Sequence, residues 1–166
     1  MVFLEERSVA KESKDSIEVM GDNRKARHDY FIQETYEAGI VLRGTEIKSI
    51  RRGQVQLRGS YARVQNGEIW LYDAHIAPYA ETGELFNHEP MRPRKLLLHR
   101  REILKLHQKL ATKGLTLVPL RIYLRGRLAK IELGLAQGKK LYDKRDSIAD
   151  RDAKRQIERA MKNRYE

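Results

Sequence analysis

The chain is a basic polypeptide of 166 residues, with 34 Lys and Arg against 23 Asp and Glu and a net charge of +11. This length predicts one domain with appendages, and the surplus of positive charge favours a polyanionic partner. The composition contains no cysteine, which excludes disulfides, zinc ribbons, iron–sulfur clusters and thiol nucleophiles. Because no apolar run in the sequence is long enough to span a bilayer, we expect a cytoplasmic protein without a membrane segment.

The first predicted segments are a flexible lead-in and a pair of strands. Residues 1–22 carry many charges and few large apolar groups, so they bury too little surface to offset the entropy of ordering. Order is expected to begin near Asn23. The aromatic and β-branched clusters at 30–32 and 40–42 then predict two strands, separated by a kink or bulge at Gly39.

A short helix and a hairpin are predicted next. Thr45 is a suitable N-cap for a helix near 45–52, and Gly53 can end that helix in the left-handed conformation. Asn66 and Gly67 separate two β-prone runs, and this pair is typical of a type I′ turn, which needs positive φ at both central positions. The sequence therefore predicts a β-hairpin here.

The remaining elements before the tail are a loop, a helix and a second hairpin. Pro and Gly residues make 77–94 a long loop. Apolar residues repeat every three or four positions across 98–113, with Lys and Arg between them, which predicts an amphipathic helix with a basic outer face. Alternation returns at 115–124 and 128–135 and predicts two strands joined by a tight turn.

Together these elements predict a mainly β protein with short helices. Strand-like runs around two inserted helices favour a small closed OB-like β-barrel over 23–137, because closure removes unpaired strand edges. Residues 138–166 are basic and carry only a thin apolar stripe. We expect this C-terminal tail to be disordered when it is free and helical when a surface orders it.

No motif for catalysis, a cofactor or a metal is recognised in the sequence. The five histidines lie far apart, and none has a second histidine at the spacing that places two ligands on one helix face. Residues 134–140 resemble a phosphate loop only superficially, because the glycine spacing is one residue short and Lys140 replaces the Ser or Thr that binds magnesium. The sequence thus predicts no enzyme, no cofactor and no metal site.

Basic residues interleaved with planar side chains form three groups along the chain. They are Arg24, Lys25, Arg27, His28 and Tyr30; Arg92, Arg94, Lys95, Arg100 and Arg101; and Lys139, Lys140, Tyr142, Lys144 and Arg145. Lys and Arg pair with phosphates, whereas Tyr and His stack on unpaired bases. Any one group is equally compatible with a solvated surface, but three groups in so basic a chain favour RNA.

Several sequence blocks resemble one known family. The blocks are NRKARHDYFI at 23–32, YEAG at 36–39, GTEIKS at 44–49, RKLLL at 94–98 and GKKLYDKR at 138–145. In this order they resemble the SsrA-binding protein family, also called small protein B, over nearly everything after the lead-in. The resemblance implies an OB-type barrel with a C-terminal tail. It also implies binding to the tRNA-like domain of transfer-messenger RNA and delivery of that RNA to stalled ribosomes.

The resemblance implies a set of RNA-binding residues on the barrel. They match family positions or lie in the first matching block: Arg24, Lys25, Arg27, His28, Glu37, Leu97 and Lys130. From the residues alone, Glu37 is better suited to organise neighbouring cations than to touch phosphate. Leu97 fits the core as well as the surface, and Lys130 should point outward from its strand.

The resemblance assigns the tail to the ribosome. Its first segment would reach the decoding centre of an A site without a codon, and the following helix would lie in the empty mRNA channel. The implied tail contacts are Gly138, Lys139, Lys140, Tyr142, Asp143, Lys144, Arg145, Ile157, Met161 and Lys162. The sequence departs from the family pattern at Ala153 and Ala160, where larger apolar residues are common, and at Glu132, where a basic residue is common.

The resulting functional prediction is a ribosome-rescue factor without enzymatic activity. Its partners would be transfer-messenger RNA, the rRNA of the decoding centre and mRNA channel, and elongation factor Tu in the delivery complex, and it would act as a monomer. The alternatives are a general RNA chaperone, an RNA-processing enzyme and a ribosome-associated RNA-binding protein.

Overall fold

The computed structural model describes residues 16–112 and 114–162. Within this part of the chain the α-helices are α1 (Arg24–Asp29), α2 (Gly44–Arg51), α3 (Arg100–Leu110) and α4 (Leu141–Lys162). The strands in the same residues are β1 (Ile17–Asp22), β2 (Tyr30–Ile40), β3 (Val55–Gln56), β4 (Tyr61–Gln65), β5 (Glu68–Tyr72), β6 (His75–Ile76), β7 (Arg94–Leu97), β8 (Leu115–Arg125) and β9 (Leu128–Gly138). The protein is mainly β with a few helices, as the sequence predicts.

Antiparallel pairing arranges most strands in a ring. The seven-stranded sheet has the order β1-β8-β4-β5-β7-β2-β9, and β8 also pairs with β9. Strand β8 is long enough to pair with β4 at Leu117 and with β1 from Arg121 to Arg125. Strands β3 and β6 form a separate two-stranded sheet. The pairing of β8 with β9 therefore joins the two sides of the sheet, so that it does not leave two long unpaired edges.

The ring surrounds the main hydrophobic core. Its largest fully buried apolar side chains come from the strands and from one residue each of α2 and α3: Ile50, Ile69, Leu71, Ile76, Leu96, Leu106, Leu117, Ile122, Ile131, Leu133 and Leu135. These side chains alternate with outward-facing residues along each strand, which is the period-2 pattern of a sheet with one buried face. Burial of this aliphatic set is the main stabilising contribution to the fold.

A smaller apolar cluster lies on the outer face of the ring, under α1. Ala26 of α1 packs there against Val118, Leu120 and Ala136. The register of β8 and β9 shifts between Pro119 and Arg121. A bulge of this kind changes which face successive side chains occupy, so β8 supplies residues to both clusters and α1 is fixed on the outside of the sheet.

The expectation of a flexible lead-in over residues 1–22 is wrong for its last part. Residues 17–22 form β1, which pairs with β8, while residues 1–15 lie outside the described part of the chain. The side chains of Ile17 and Val19 are 44% and 47% exposed. Backbone hydrogen bonds hold this strand more than apolar burial does, and composition does not reveal such a strand.

The expected kink at Gly39 is also wrong, because Tyr30–Ile40 is one strand. The single register shift in its pairing with β9 falls between Ile32 and Glu34. Gly39 lies in regular pairing between Leu97 of β7 and Lys130 of β9. Its lack of a side chain serves a close contact on the outer face instead of a bend.

Both predicted hairpins are confirmed. Asn66 and Gly67 have φ of 50° and 75° between β4 and β5, as a type I′ turn requires. Gly126, with φ of 60°, lies in the turn between β8 and β9. Gly53 ends α2 with φ of 71°, although the N-cap is Arg43 and not Thr45. Helix α3 lies inside the range 98–113.

Candidate nucleic-acid interface

The outer face of β7, β2, β9 and β8 brings together residues that are far apart in sequence. Leu97 pairs with Gly39, Gly39 with Lys130, and Lys130 with Tyr123, so these four positions form one row across the sheet. Directly opposed positions of neighbouring strands share a face. The row therefore places two of the implied RNA-binding residues, Leu97 and Lys130, on the same surface with only a glycine between them.

Gly39 makes room for Leu97 on this surface. A Cβ atom added to Gly39 would lie 3.3 Å from the Cβ atom of Leu97, a spacing that forces the leucine to move. Leu97 is 52% exposed, whereas the neighbouring Leu96 is buried in the core. The structure thus resolves the two alternatives for Leu97 in favour of the surface, where an exposed apolar side chain lies beside a lysine.

The adjacent row explains how a carboxylate fits into a cationic surface. Glu37 pairs with Glu132, and Glu132 with Arg121. One carboxylate oxygen of Glu37 accepts a hydrogen bond from the hydroxyl of Tyr123, and the other accepts from Nη1 of Arg125 at 3.2 Å. Glu37 therefore fixes the orientation of Arg125 on this face. Its negative charge faces this arginine as well as the solvent.

Tyr123 contacts both Glu37 and Arg121. Burial, followed by the hydrogen bond to Glu37, raises the pKa of Tyr123 to about 12, so the phenol remains a proton donor. The guanidinium of Arg121 lies 5.3 Å from the Tyr123 ring centroid and bonds Glu132 at 2.9 Å. Sequence reasoning missed Arg121, Tyr123 and Arg125, because only the strand register shows that they share a face with Glu37.

Helix α1 extends the surface beyond the sheet. Its start is fixed by Asn23, whose side-chain oxygen accepts from the backbone of Ala26 at 3.1 Å, while its amide donates to the carbonyls of Pro119 at 2.9 Å and Leu57 at 3.2 Å. The buried Asn23 is the N-cap that the sequence analysis overlooked. It anchors α1 to the ring in a defined orientation.

The cations of α1 differ in exposure and in their partners. The side chain of Arg24 is 94% exposed, and Lys25 is exposed as well. Arg27 bonds Asp22 and lies 4.0 Å from Glu132, which links the helix to the row of Glu37. His28 is half-buried and lies 2.9 Å from Asp29 through Nδ1. Glu132, the acidic departure from the family pattern on this face, and the family-matching Glu37 are thus both paired with arginines.

One member of the second predicted basic group is not a surface residue. Arg94 is fully buried and donates to Glu46 at 2.8 Å and to the Ala74 carbonyl at 2.6 Å. Arg92 donates to the same carboxylate from Nε at 2.8 Å. The interpretation of Arg94 as part of a basic surface is therefore wrong, and the partly exposed Arg92 binds the same buried carboxylate. They neutralise a buried carboxylate, which is a structural task.

The pKa of Glu46 reflects this environment. Burial by itself would raise it, but hydrogen bonds from Arg92, from the Arg43 backbone and from Arg94 outweigh burial and lower it below its ordinary value. The carboxylate is consequently ionised, and both arginines have a charged partner.

The base of the tail lies against α1. The Lys139 backbone donates to the Asp29 carbonyl at 2.9 Å, and the Lys144 ammonium lies 3.5 Å from the Asp29 carboxylate. A hydrogen bond from His28, together with the charge of Lys144, lowers the pKa of Asp29. Asp143 accepts from the Lys140 backbone at 3.1 Å and caps α4. The tail therefore starts beside the surface that carries Arg24 and Lys25.

Beyond this base, α4 has no buried residue within its described length. Its large apolar side chains are exposed at Leu141, Tyr142, Ile148, Ile157 and Met161. At about 1.5 Å per residue, a helix of 22 residues is about 33 Å long. Arg145 is exposed near the start, while Met161 and Lys162 lie at the far end. The structure thus separates the predicted tail residues into a docked base and an extended cationic helix.

Two further features are absent from the described residues, 16–112 and 114–162. These residues contain no group of three or more His, Asp or Glu side chains arranged to hold a metal ion. Among the same residues, no helix combines the length and the apolar character needed to cross a membrane.

Comparisons with known proteins show the family of the chain. The family model described as SmpB protein matches residues 20–163. The SsrA-binding protein of Roseiflexus sp. is 70% identical over 146 residues, which is 88% of this chain and 92% of the relative. The SsrA-binding protein of Chloroflexus aggregans is 67% identical over 148 residues, or 89% and 94% of the two chains.

A solved structure gives the same result. One chain of the structure described as "tmRNA-SmpB: a journey to the center of the bacterial ribosome" is 57% identical to this protein and superposes with a TM-score of 0.62. The match covers 72% of this chain and 84% of that chain. With a matching family model, close relatives and a similar solved structure, the chain belongs to the SmpB family of SsrA-binding proteins.

Proposed function

We propose that the protein binds the tRNA-like domain of transfer-messenger RNA and delivers it to the A site of stalled ribosomes for trans-translation. The observation that carries this proposal is the continuous outer surface on which Leu97, Lys130 and Glu37 meet the cations of α1. Lys and Arg supply phosphate contacts, and the exposed Leu97 supplies an apolar contact beside them. Binding needs no chemical step, so the protein acts as an adaptor and not as an enzyme.

The ring of strands supports an OB-like barrel as the RNA-binding part. Each of the strands β8, β4, β5, β7, β2 and β9 pairs with the next, and β9 pairs with β8. We propose that residues 23–137, together with β1, work as this barrel, and that residues 138–166 work as a separate tail. The exposed apolar and cationic side chains of α4 are suited to a partner that orders the whole helix.

The tail is proposed to test whether the mRNA path is empty. The residues from Gly138 to Arg145 would enter the decoding centre, and Ile157, Met161 and Lys162 would follow into the mRNA channel. A cationic helix gains most binding free energy where rRNA phosphates line a vacant channel, because its Lys and Arg side chains neutralise those phosphates and release counterions. The proposal includes rRNA as a partner, elongation factor Tu in the delivery complex, and a monomer working in the cytoplasm.

The test is a reconstituted translation reaction on a message without a stop codon. Adding this protein together with transfer-messenger RNA should add the encoded peptide tag to the stalled chain, whereas omitting either component should leave the chain untagged. A general RNA chaperone or a ribosome-associated RNA-binding protein would bind in this reaction without producing a tag. That result would contradict the proposed function.

A further inference from the structure

The base of the tail is fastened to the ring where α1 meets β2. The pairing of β2 with β9 ends with Tyr30 opposite Gly138. One residue further along the chain, the Lys139 backbone N–H donates to the Asp29 carbonyl at 2.9 Å. The Lys139 ammonium lies 4.9 Å from the ring centroid of Phe31, which is a cation–π distance. The chain therefore stays in contact with α1 and β2 after β9 has ended.

The first turns of α4 direct one side of the helix towards this contact. Within the described length of α4, only Asp143, Lys144 and Ser147 are half-buried, whereas its other residues are exposed. Residues at this spacing lie on the same side of a helix. The hydroxyl of Ser147 accepts a hydrogen bond from the Lys139 ammonium at 3.2 Å. The base of α4 is thus held by side chains as well as by the backbone.

The carboxylate of Asp29 connects α1 to the tail. Its Oδ1 atom lies 2.9 Å from Nδ1 of His28 and 3.5 Å from the ammonium of Lys144. The side chains of Asp29 and Lys144 are 22% and 31% exposed, so both members of the pair are partly shielded from solvent. One carboxylate therefore contacts an implied RNA-binding residue of α1 and an implied ribosome-binding residue of the tail.

We propose that Asp29 is a positioning residue for the tail, which holds Lys144 so that the first turns of α4 present Tyr142 and Arg145 to rRNA. This inference rests on the proposed function. Tyr142 and Arg145 are three residues apart and exposed, on the side of α4 opposite to its half-buried residues. Lys144 then acts through Asp29 instead of binding a phosphate, because its ammonium already has a carboxylate partner.

The length of α4 makes its base the part that sets its direction. Beyond Ser147 every described residue of the helix is exposed. The helix is about 33 Å long, so a change of angle at the base displaces the far end by many ångströms. A helix whose direction is fixed before binding loses less conformational freedom on binding, which favours the complex.

The first experiment measures the direction of the tail in the free, full-length protein. The chain contains no cysteine, so Gln108→Cys on α3 and Lys154→Cys on α4, both at exposed positions, place two spin labels at defined sites. Pulsed electron paramagnetic resonance should give a narrow distribution of distances between the labels. Asp29→Asn should at least double its width, whereas Asp29→Glu should keep it narrow because the charge is retained. The matched control, Asp150→Asn, removes an exposed carboxylate of α4 and should leave the width unchanged.

The second experiment measures the tagging rate in the non-stop translation reaction. Asp29→Asn and Lys144→Gln should each lower the rate about threefold, and the double variant should be no slower than either. Asp29→Asn combined with Arg145→Gln should instead show the product of the two separate losses, because Arg145 contacts rRNA independently. All these variants should bind the tRNA-like domain within twofold of the unchanged protein. A purely structural role of Asp29 in α1 would alter this affinity and leave the label distances unchanged.

Four results would overturn the proposal. The distance distribution could already be broad in the unchanged protein, it could stay narrow in Asp29→Asn, or it could broaden equally in Asp150→Asn. The fourth result is a fully multiplicative loss of tagging in Asp29→Asn with Lys144→Gln, which would mean that the two residues act separately. Absence of tagging by the unchanged protein would contradict the proposed function instead. The label distances are measured without a ribosome, so the two failures are distinguishable.

Discussion

Glu37 shows how single residues shape a binding surface. A carboxylate on a surface that meets phosphate should repel the partner if it acts alone. Here its two oxygens are occupied by Tyr123 and Arg125. The negative charge of Glu37 is therefore paired with Arg125, and the pair holds Arg125 in a fixed orientation. We infer that Glu37 affects RNA binding through this arginine.

This account predicts that Glu37→Gln weakens binding of the tRNA-like domain, although it removes a negative charge. The expected loss is about 0.5–1 kcal/mol, because Arg125 loses its charged partner. Arg125→Gln should cost about 1 kcal/mol. In titrations at fixed salt the double variant should lose little more than Arg125→Gln alone.

The matched control is Glu158→Gln, which changes an exposed carboxylate on α4. It should leave the affinity for the tRNA-like domain unchanged. Tighter binding by Glu37→Gln would mean that the carboxylate only repels RNA, and fully additive losses in the double variant would mean that Glu37 and Arg125 act separately.

Lys130 is the direct phosphate candidate, and it lies in the row beside that of Glu37. Its neighbour Ile131 is buried, and Lys130 itself is partly exposed on the outer face. Lys130→Ala should therefore weaken binding by about 1 kcal/mol and flatten the dependence of affinity on salt by about one phosphate contact. Titrations at three salt concentrations measure both quantities, and an unchanged affinity and slope would remove Lys130 from the interface.

At the scale of the elements, the Glu46 cluster fastens α2 to the loop that leads into β7. Glu46→Gln would leave the fully buried Arg94 without its charged partner. Loss of one partner of a buried pair costs about 3–5 kcal/mol. We expect this loss in urea unfolding curves, and a much smaller one for Glu81→Gln, which changes an exposed pair.

The same cluster gives stability a dependence on pH. The pKa of Glu46 is lower in the folded protein than the ordinary value of 4.5, so its contribution is fully present above pH 4.5. That contribution is lost as the pH falls through the folded-state pKa. The difference in unfolding free energy between the protein and Glu46→Gln should thus shrink below pH 4.5. A difference that stays constant at lower pH would show that the pair does not stabilise the fold through its charge.

The tail can be removed as an element because α4 buries no residue. The last backbone contact before α4 is the hydrogen bond from the Lys139 backbone to the Asp29 carbonyl of α1. A chain that ends at Lys140 should fold, bind the tRNA-like domain within about threefold of the full chain, and fail to support tagging in the non-stop reaction. Unfolding of this variant would show that α4 belongs to the core.

Local signals in the sequence predicted some elements well and others poorly. The Asn66-Gly67 turn and the two long strands β8 and β9 follow from turn chemistry and alternation, which act over a few residues. Strand β1 depends on pairing with β8, more than a hundred residues away for some pairs. Helix α1 has only six residues and depends on packing of Ala26, so periodicity could not reveal it.

The site also contains some residues that the sequence identified and others that only the fold identifies. Glu37, Leu97 and Lys130 were identified through the resemblance, and their strand positions agree with a shared surface. Composition grouped Arg94 with the surface cations, because charge in a sequence says nothing about burial. Only the fold shows that Arg94 faces Glu46 and that Arg125 faces Glu37.

For the whole molecule, a net charge of +11 would attract any RNA. Selectivity must therefore come from the shape of the surface, where α1, the row of Leu97 and Lys130, and the base of α4 have fixed relative positions. Charge governs encounter and salt dependence, whereas this arrangement governs which RNA fits.

The most direct test of this central claim is a titration of the pure protein with the tRNA-like domain of transfer-messenger RNA at physiological salt. An ordinary tRNA and an unrelated hairpin of similar size serve as competitors. A shaped surface predicts a preference of about a hundredfold or more for the tRNA-like domain, since specific sites commonly exceed nonspecific ones by that margin. Equal affinity for all three RNAs would contradict the account and leave a nonspecific basic protein.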